Sequence, residues 1–255
     1  MIREIRKYHR DVGRKQRLAP RVSDEDKKWL SWPEYLRVVG EHHRISQSLL
    51  EAYDGSDPSS LSEFTKEHRD IAYAMEIFLV LAFFANIPDR QRTIRELEID
   101  RSFVRERDAW GIKHSPADYK TGKTYGDRPL MLLPTSLTPF IDEYLTKWRL
   151  CLRPQTKHVF VQPRTGKPLS GDSLYRLFVQ ACFRITGKRT NPHLLRDMVV
   201  THVRESDASE KELEALALYM GHSVAIQRSS YDRRTLDKKV EPAMKLLHSV
   251  NDILR

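Results

Sequence analysis

The stretch from Asn191 to Tyr231 constrains the fold more than any other part of this 255-residue chain. Asn191 is a good helix N-cap, and Pro192 suits the first helical position, where its missing N–H costs nothing. Together they predict a helix starting at His193. Leu195, Met198, Val199 and His202 then follow the i, i+3, i+4, i+7 spacing of a buried face. A second helix is expected over about 210–220, with Leu213, Leu216, Ala217 and Met220 inward and Gly221 as its stop. His193 and Arg196, three apart, meet at a helix start, where unpaired N–H groups already favour an anion. His222 falls in the loop just past Gly221, and Tyr231 lies nine residues beyond that histidine.

The rest of the chain reads as support for this stretch. Ser31-Trp32-Pro33-Glu34 is a capping signature that predicts a helix to about residue 53, with Tyr35, Val38, Val39 and His42 on one side. The composition of residues 54–60 marks a loop. A long helix over about 62–85 carries the apolar run 77–87, which is broken by Asn86 and too short to cross a bilayer. Between residues 97 and 134 the period changes. Phe103-Val104, Trp110 to Ile112 and Pro129 to Leu133 read as three short antiparallel strands, with Gly111, Gly122 and Gly126 among them. An amphipathic helix over 136–152 follows, with Leu137, Phe140, Ile141, Tyr144, Leu145 and Trp148 inward. After it come a short strand, a Gly-Lys-Pro turn and a helix from about 171. Leu236, Val240, Ala243, Met244, Leu247 and Leu254 predict one more amphipathic helix at the end. The expected fold class is mainly α with a small three-stranded antiparallel β-sheet (α+β).

The net charge of +9 points to an anionic partner. Much of the excess sits in residues 1–21, where eight Lys and Arg face only Glu4 and Asp11. That segment reads either as a solvated tail or as a strand of charge lying along a DNA backbone. Two cysteines, Cys151 and Cys182, exclude a disulfide framework or a zinc cluster. The pairs Gly122-Lys123 and Gly166-Lys167 lack the glycine a phosphate loop needs five positions earlier, where Ala117 and Val161 stand. No signal-peptide pattern is visible, so the expected location is cytoplasmic, on DNA (nucleoid-associated), without a membrane.

His193-x-x-Arg196, the Gly221-His222 pair and Tyr231, in this order and spacing, resemble the tyrosine recombinases, or phage integrase family. The resemblance extends over about residues 31–231. It implies a basic linker at 1–30, a catalytic domain at 31–235, and a C-terminal helix at 236–255 that either packs on its own domain or contacts a neighbouring protomer. It places the first catalytic arginine in the turn after the buried helix. Arg90 fits, with Thr93, Ile94 and Leu97 at the expected offsets, and Arg92 is the alternative. It also places a catalytic lysine in the last hairpin, at Lys120 or else Lys123. Asp197 stands where the family often has a second histidine, and the usual Gly-Leu-Arg before the first arginine is absent. Only about thirty residues precede Ser31, too few for the separate DNA-clamping domain that family members commonly carry.

The chemistry implied is metal- and ATP-independent DNA strand transfer without a cofactor. Tyr231 would attack a phosphodiester in double-stranded DNA and form a 3′-phosphotyrosyl link. Arg90 and Arg196 would grip the non-bridging oxygens, and His222 would add a hydrogen bond to them. Lys120 would protonate the leaving 5′-oxygen, and His193 would act as base or orient the phosphate. A homo-oligomer, a tetramer on paired DNA sites, would exchange strands. A monomeric type IB topoisomerase-like enzyme would use the same groups. A DNA-binding protein derived from a recombinase would have kept them without the activity.

Overall fold

The computed structural model describes residues 27–119, 122–206 and 208–250. The basic segment up to residue 26, Lys120 and Leu254 therefore lie outside the described residues.

Helix α1 (Trp32–Ala52) begins on the expected capping box. Ser31 Oγ accepts from the Glu34 N–H at 3.3 Å, and the Glu34 carboxylate accepts from the Ser31 N–H at 2.7 Å. Helix α2 (Lys66–Asn86) begins later than the sequence pattern predicted. Its N-cap is Thr65, and the reciprocal partner is the His68 imidazole, which accepts from the Thr65 N–H at 3.0 Å. A histidine does this work less often than Glu or Gln, so the start left no familiar signature.

α2 is the spine of the core. Ile71, Ala72, Met75 and every residue from Phe78 to Phe84 are buried, so the helix is enclosed on nearly all sides. Each fully buried Phe or Leu contributes about 1.5–3 kcal/mol relative to exposure. Phe83 meets Phe103 of the sheet and Phe84 meets Phe178, with ring centroids 5.4 and 5.5 Å apart. One acid, Glu76, is fully enclosed here. It accepts from the Tyr144 hydroxyl at 2.7 Å and the Val161 N–H at 2.9 Å. Burial pushes it up to about 7, against the pull of those hydrogen bonds and of Arg149.

The sheet has the order β1-β2-β3 and is antiparallel throughout, from β1 (Phe103–Glu106), β2 (Ala109–Ile112) and β3 (Met131–Leu132). Phe103 pairs with Ile112, and Ile112 with Met131. β3 is shorter than predicted. The connection from β2 to β3 holds a helical turn, Gly122–Tyr125, where the glycines suggested only a hairpin bend. A Cβ at Gly122 would lie 1.9 Å from the Pro116 carbonyl oxygen, so the turn packs too closely for any side chain there.

The helix expected over 136–152 is broken. α4 (Thr138–Thr146) gives way at Lys147 to a 3₁₀ segment, Trp148–Leu152. Arg149 is buried and donates to the carbonyls of Thr156 at 2.7 Å and Val159 at 3.2 Å, contacts that hold this segment against the following loop. The expected strand after it is reduced to an isolated bridge between Val161 and Pro168. α5 (Gly171–Thr186) follows as predicted.

α6 (Leu194–Glu205) begins one residue after the predicted start. Asn191 Oδ1 accepts from the N–H of both His193 and Leu194, at 3.0 and 3.3 Å, and holds His193 in the cap position. α7 (Glu210–Tyr219) carries a capping box from Ser209 and Glu212. Val199, Val200 and Met220 form a small second apolar cluster that joins α6 to the end of α7. The final helix, α8 (Leu236–Val250), is exposed from 236 to 249. Leu236, Val240, Met244 and Leu247 are uncovered among the described residues, so the helix does not pack its apolar face onto its own domain. No helix of the described residues is long and apolar enough to cross a membrane. Cys151 and Cys182 are free and buried.

Candidate active site

α2 ends at Asn86, and the turn through Pro88 brings Asp89 and Arg90 to the mouth of the core. Arg90 is the N-cap of a five-residue helix, α3 (Gln91–Arg95), with an extended backbone and no side-chain capping bond to that helix. Its Nη1 is buried and makes no hydrogen bond. Arg92 also borders the cleft, but its Nε donates to Glu96 at 2.8 Å.

Arg196, in the first turn of α6, is 1% exposed. Its Nη1 donates to Asp89 Oδ1 at 3.1 Å and its Nη2 to the Met220 carbonyl at 2.8 Å, while Nε has no hydrogen-bond partner. Burial lowers the Arg196 pKa, and Tyr231 and Asp89 oppose that shift. Gly221 ends α7 with φ of +68°, a left-handed turn that glycine adopts at little cost. The turn places His222 inward, 4% exposed, with neither ring nitrogen hydrogen-bonded. Burial, then the charge of Arg196, push this imidazole down to about 4, so it is neutral at neutral pH.

Tyr231 stacks on His222, with centroids 4.7 Å apart and planes 22° from parallel. The Arg196 guanidinium lies 5.1 Å from the phenol's ring centre. The phenol belongs to one turn of π-helix, Gln227–Tyr231, a geometry often found at functional positions. Polar contacts hold this segment against α6. Thr201 Oγ1 donates to the Tyr231 carbonyl at 3.3 Å and accepts from the Arg233 N–H at 3.0 Å. Arg233 Nε donates to Asp197 at 2.8 Å, and Arg204 donates to Gln227 at 2.7 Å. Asp197 therefore pairs with the segment that carries the tyrosine.

A cleft of about 750 Å³ opens in front of Arg196, bordered by Arg90, Lys123, His193 and Tyr175 among others. His193 stands exposed at its rim. Loss of water from its inner edge, then Arg196 and Arg90, lower its pKa. The cleft is strongly cationic, and the acid on its wall, Asp89, is taken up by arginines. His222 and Tyr231 do not border this cleft, and the Tyr231 ring lies against the Arg196 guanidinium.

Of the six residues selected from the sequence, five are described. Arg90, His193, Arg196, His222 and Tyr231 come together although the first and last are far apart in the chain. Lys120 lies outside the described residues, whereas Lys123 borders the cleft. Sequence reasoning did not find Asp89, Arg128, Gln227 or Arg233. Each acts by pairing with a partner remote in sequence, and no local spacing announces that.

No protein-family model matches the sequence, and no curated protein matches it. Solved structures do match. A crystal structure of XerA recombinase aligns with TM-score 0.50 and 14% identity, covering 76% of this chain and 66% of that one. XerH site-specific recombinase bound to palindromic difH substrate, a post-cleavage complex, gives TM-score 0.53 and 16% identity over 82% of this chain and 51% of that one. The XerH pre-cleavage complex with difH gives 0.52 and 15% over 89% and 55%. The chain thus spans between about half and two thirds of the structures it matches. Its fold is that of a tyrosine recombinase catalytic domain, mainly helical with a small three-stranded antiparallel sheet.

Proposed function

We propose that this chain cuts and rejoins double-stranded DNA through a covalent tyrosine link, as a site-specific recombinase or integrase. The observation that carries this reading is a set of buried donors with no acceptor. Arg90 Nη1, Arg196 Nε and the one His222 nitrogen that carries a proton in the neutral ring are enclosed and without a hydrogen-bond acceptor. Buried donors are costly to leave unsatisfied, so a site with several of them suits an anionic ligand with several acceptor oxygens. A phosphodiester meets that need, and the fold likeness favours DNA as its source.

In this reading Arg90 and Arg196 hold the two non-bridging oxygens, and His222 donates to the same group. The Tyr231 oxygen attacks phosphorus and forms a P–O bond, the bond from phosphorus to the 5′-oxygen breaks, and that oxygen takes a proton. Lys120 or Lys123 supplies the proton; Lys123 has the cleft position in its favour. His193 accepts the phenol proton or orients the phosphate. The phosphotyrosyl ester retains the bond energy, and a 5′-hydroxyl of another strand reverses the attack without ATP. For attack the phenol turns from its stack on His222 towards the phosphate held at Arg196.

The uncovered face of α8 favours an assembly over a monomer acting alone. A second copy covers it on paired DNA sites, as the sequence resemblance implies, and a tetramer acts in the cytoplasm at the nucleoid. The test is a nicked DNA duplex that traps the covalent intermediate. The protein forms a denaturant-stable adduct, and Tyr231→Phe removes it while DNA binding persists. Plasmid relaxation without strand exchange favours a topoisomerase instead, and DNA binding with no adduct favours a non-catalytic binder.

A further inference from the structure

We infer that Asp89 is a positioning residue that ties the hairpin between β2 and β3 to Arg196, so that the hairpin's cation and the phosphate-gripping arginine keep a fixed spacing. The inference rests on the function proposed above. Its physical core is one carboxylate shared by three chain segments. Asp89 Oδ1 accepts from Arg196 Nη1 at 3.1 Å and from the Arg90 N–H at 2.6 Å. Asp89 Oδ2 accepts from Arg128 Nη1 through a short contact. The Asp89, Arg128 and Arg196 side chains are 4%, 6% and 1% exposed, so water does not compete for these bonds.

Arg128 in turn organises the hairpin. Its guanidinium lies 4.0 Å from the ring centre of Tyr119, whose hydroxyl donates to the Gly126 carbonyl. That closes the loop carrying the helical turn Gly122–Tyr125, and Lys123 on this turn borders the cleft. Burial by itself raises the Asp89 carboxyl, but Arg128 and Arg196 outweigh it and hold the group below its usual range. The acid is therefore charged at neutral pH, and both guanidiniums are anchored in part by its two oxygens. Moving Arg128 away leaves Asp89 to Arg196 and the Arg90 N–H. Removing Asp89 leaves two buried cations near one another, with the hairpin free to shift outward.

Asp89→Asn keeps the shape and removes the charge, and Arg128→Met breaks the tie from the other end. In both variants backbone amides of β2 and β3 exchange with solvent faster by about tenfold or more, the change expected for losing one charge-assisted hydrogen bond. Amides of α2 keep their wild-type exchange, which excludes general unfolding. On the nicked substrate, single-turnover adduct formation by Asp89→Asn slows about a hundredfold, while the Kd for DNA stays the same or tightens. If Asp89 served only to weaken the cationic field, adduct formation would hold steady or rise, and the inference would be overturned. Unchanged exchange at β2 and β3 overturns it too. If the wild-type protein forms no adduct, the proposed function fails, and the exchange comparison still decides whether Asp89 ties the hairpin to Arg196.

Discussion

The floor of the cleft and the segment carrying Tyr231 are built in opposite ways. Arg90 and Arg196 stand on the enclosed core around α2 and α6, and Arg196 is among the largest fully buried side chains. The tyrosine sits on a π-turn joined to α6 mainly by side-chain hydrogen bonds, with its ring against the small Val199–Val200–Met220 cluster, and an exposed helix follows it. The bonds that hold Arg196 to Asp89 and the Met220 carbonyl are sealed from water by the surrounding core, so they are lost only with the fold. A polar seam can open locally and close again. The contrast suits the proposed reaction, in which the groups that would grip a phosphate are held rigidly and the tyrosine that would form and release a covalent bond has a mount that can shift.

The hardest strain on that contrast is Arg196→Lys. A lysine cannot reach Asp89 and the Met220 carbonyl at once, as the guanidinium does. Adduct formation should fall about 10²–10³-fold, and thermal unfolding should move to lower temperature as well. Loss of activity with unchanged stability would mean that the floor is less integral to the fold than its burial indicates. Arg233→Ala probes the other region. It leaves the 5% exposed Asp197 side chain without this partner and should cost about 1–3 kcal/mol, felt as faster proteolysis or amide exchange over residues 227–235. Spread of that loosening into α2 would erase the distinction between the two regions.

Acid sharpens the comparison further. The folded His222 titrates at about 4, below the ordinary value of 6.5. As pH falls below 6.5 the unfolded chain takes up a proton that the folded chain refuses. Stability tied to this residue therefore declines from pH 6.5 towards 4 and is level below that, a loss of about 3 kcal/mol. His222→Asn should flatten this part of the pH profile in urea unfolding. Bound phosphate should raise the titration of His222, visible by NMR. The smallest effect on the fold belongs to the tail. α8 is linked to the described body by exposed contacts such as Lys238–Glu205 at 3.2 Å. A chain ending at Thr235 should unfold within about 1 kcal/mol of the full chain, yet lose assembly on paired DNA sites in a sedimentation experiment.

Much of this architecture is legible in the residues. Local rules, such as the Ser31–Glu34 box, the inward face of α6 and the stop at Gly221, act within a few positions and leave a periodic trace. The candidate set could be picked out for a different reason, because His193, Arg196, His222 and Tyr231 lie in one short stretch. What stayed hidden depends on distance along the chain. Asp89 and Arg196 are 107 residues apart, and nothing near either one names the other. The break at Lys147 is hidden in the same way, since buried Arg149 binds carbonyls of a later loop. The apolar pattern of α8 predicted a helix correctly, but amphipathicity alone does not say which surface covers it.

The most direct test of the central claim is to digest the trapped protein–DNA adduct and sequence the modified peptide by mass spectrometry. The account predicts a nucleotide remnant on the Tyr231 oxygen, within the peptide that also contains Ser229 and Ser230, and the same modified peptide scarcer by about 10²–10³-fold in Arg196→Lys. A remnant on any other side chain, or a stable adduct that survives Tyr231→Phe, would contradict it.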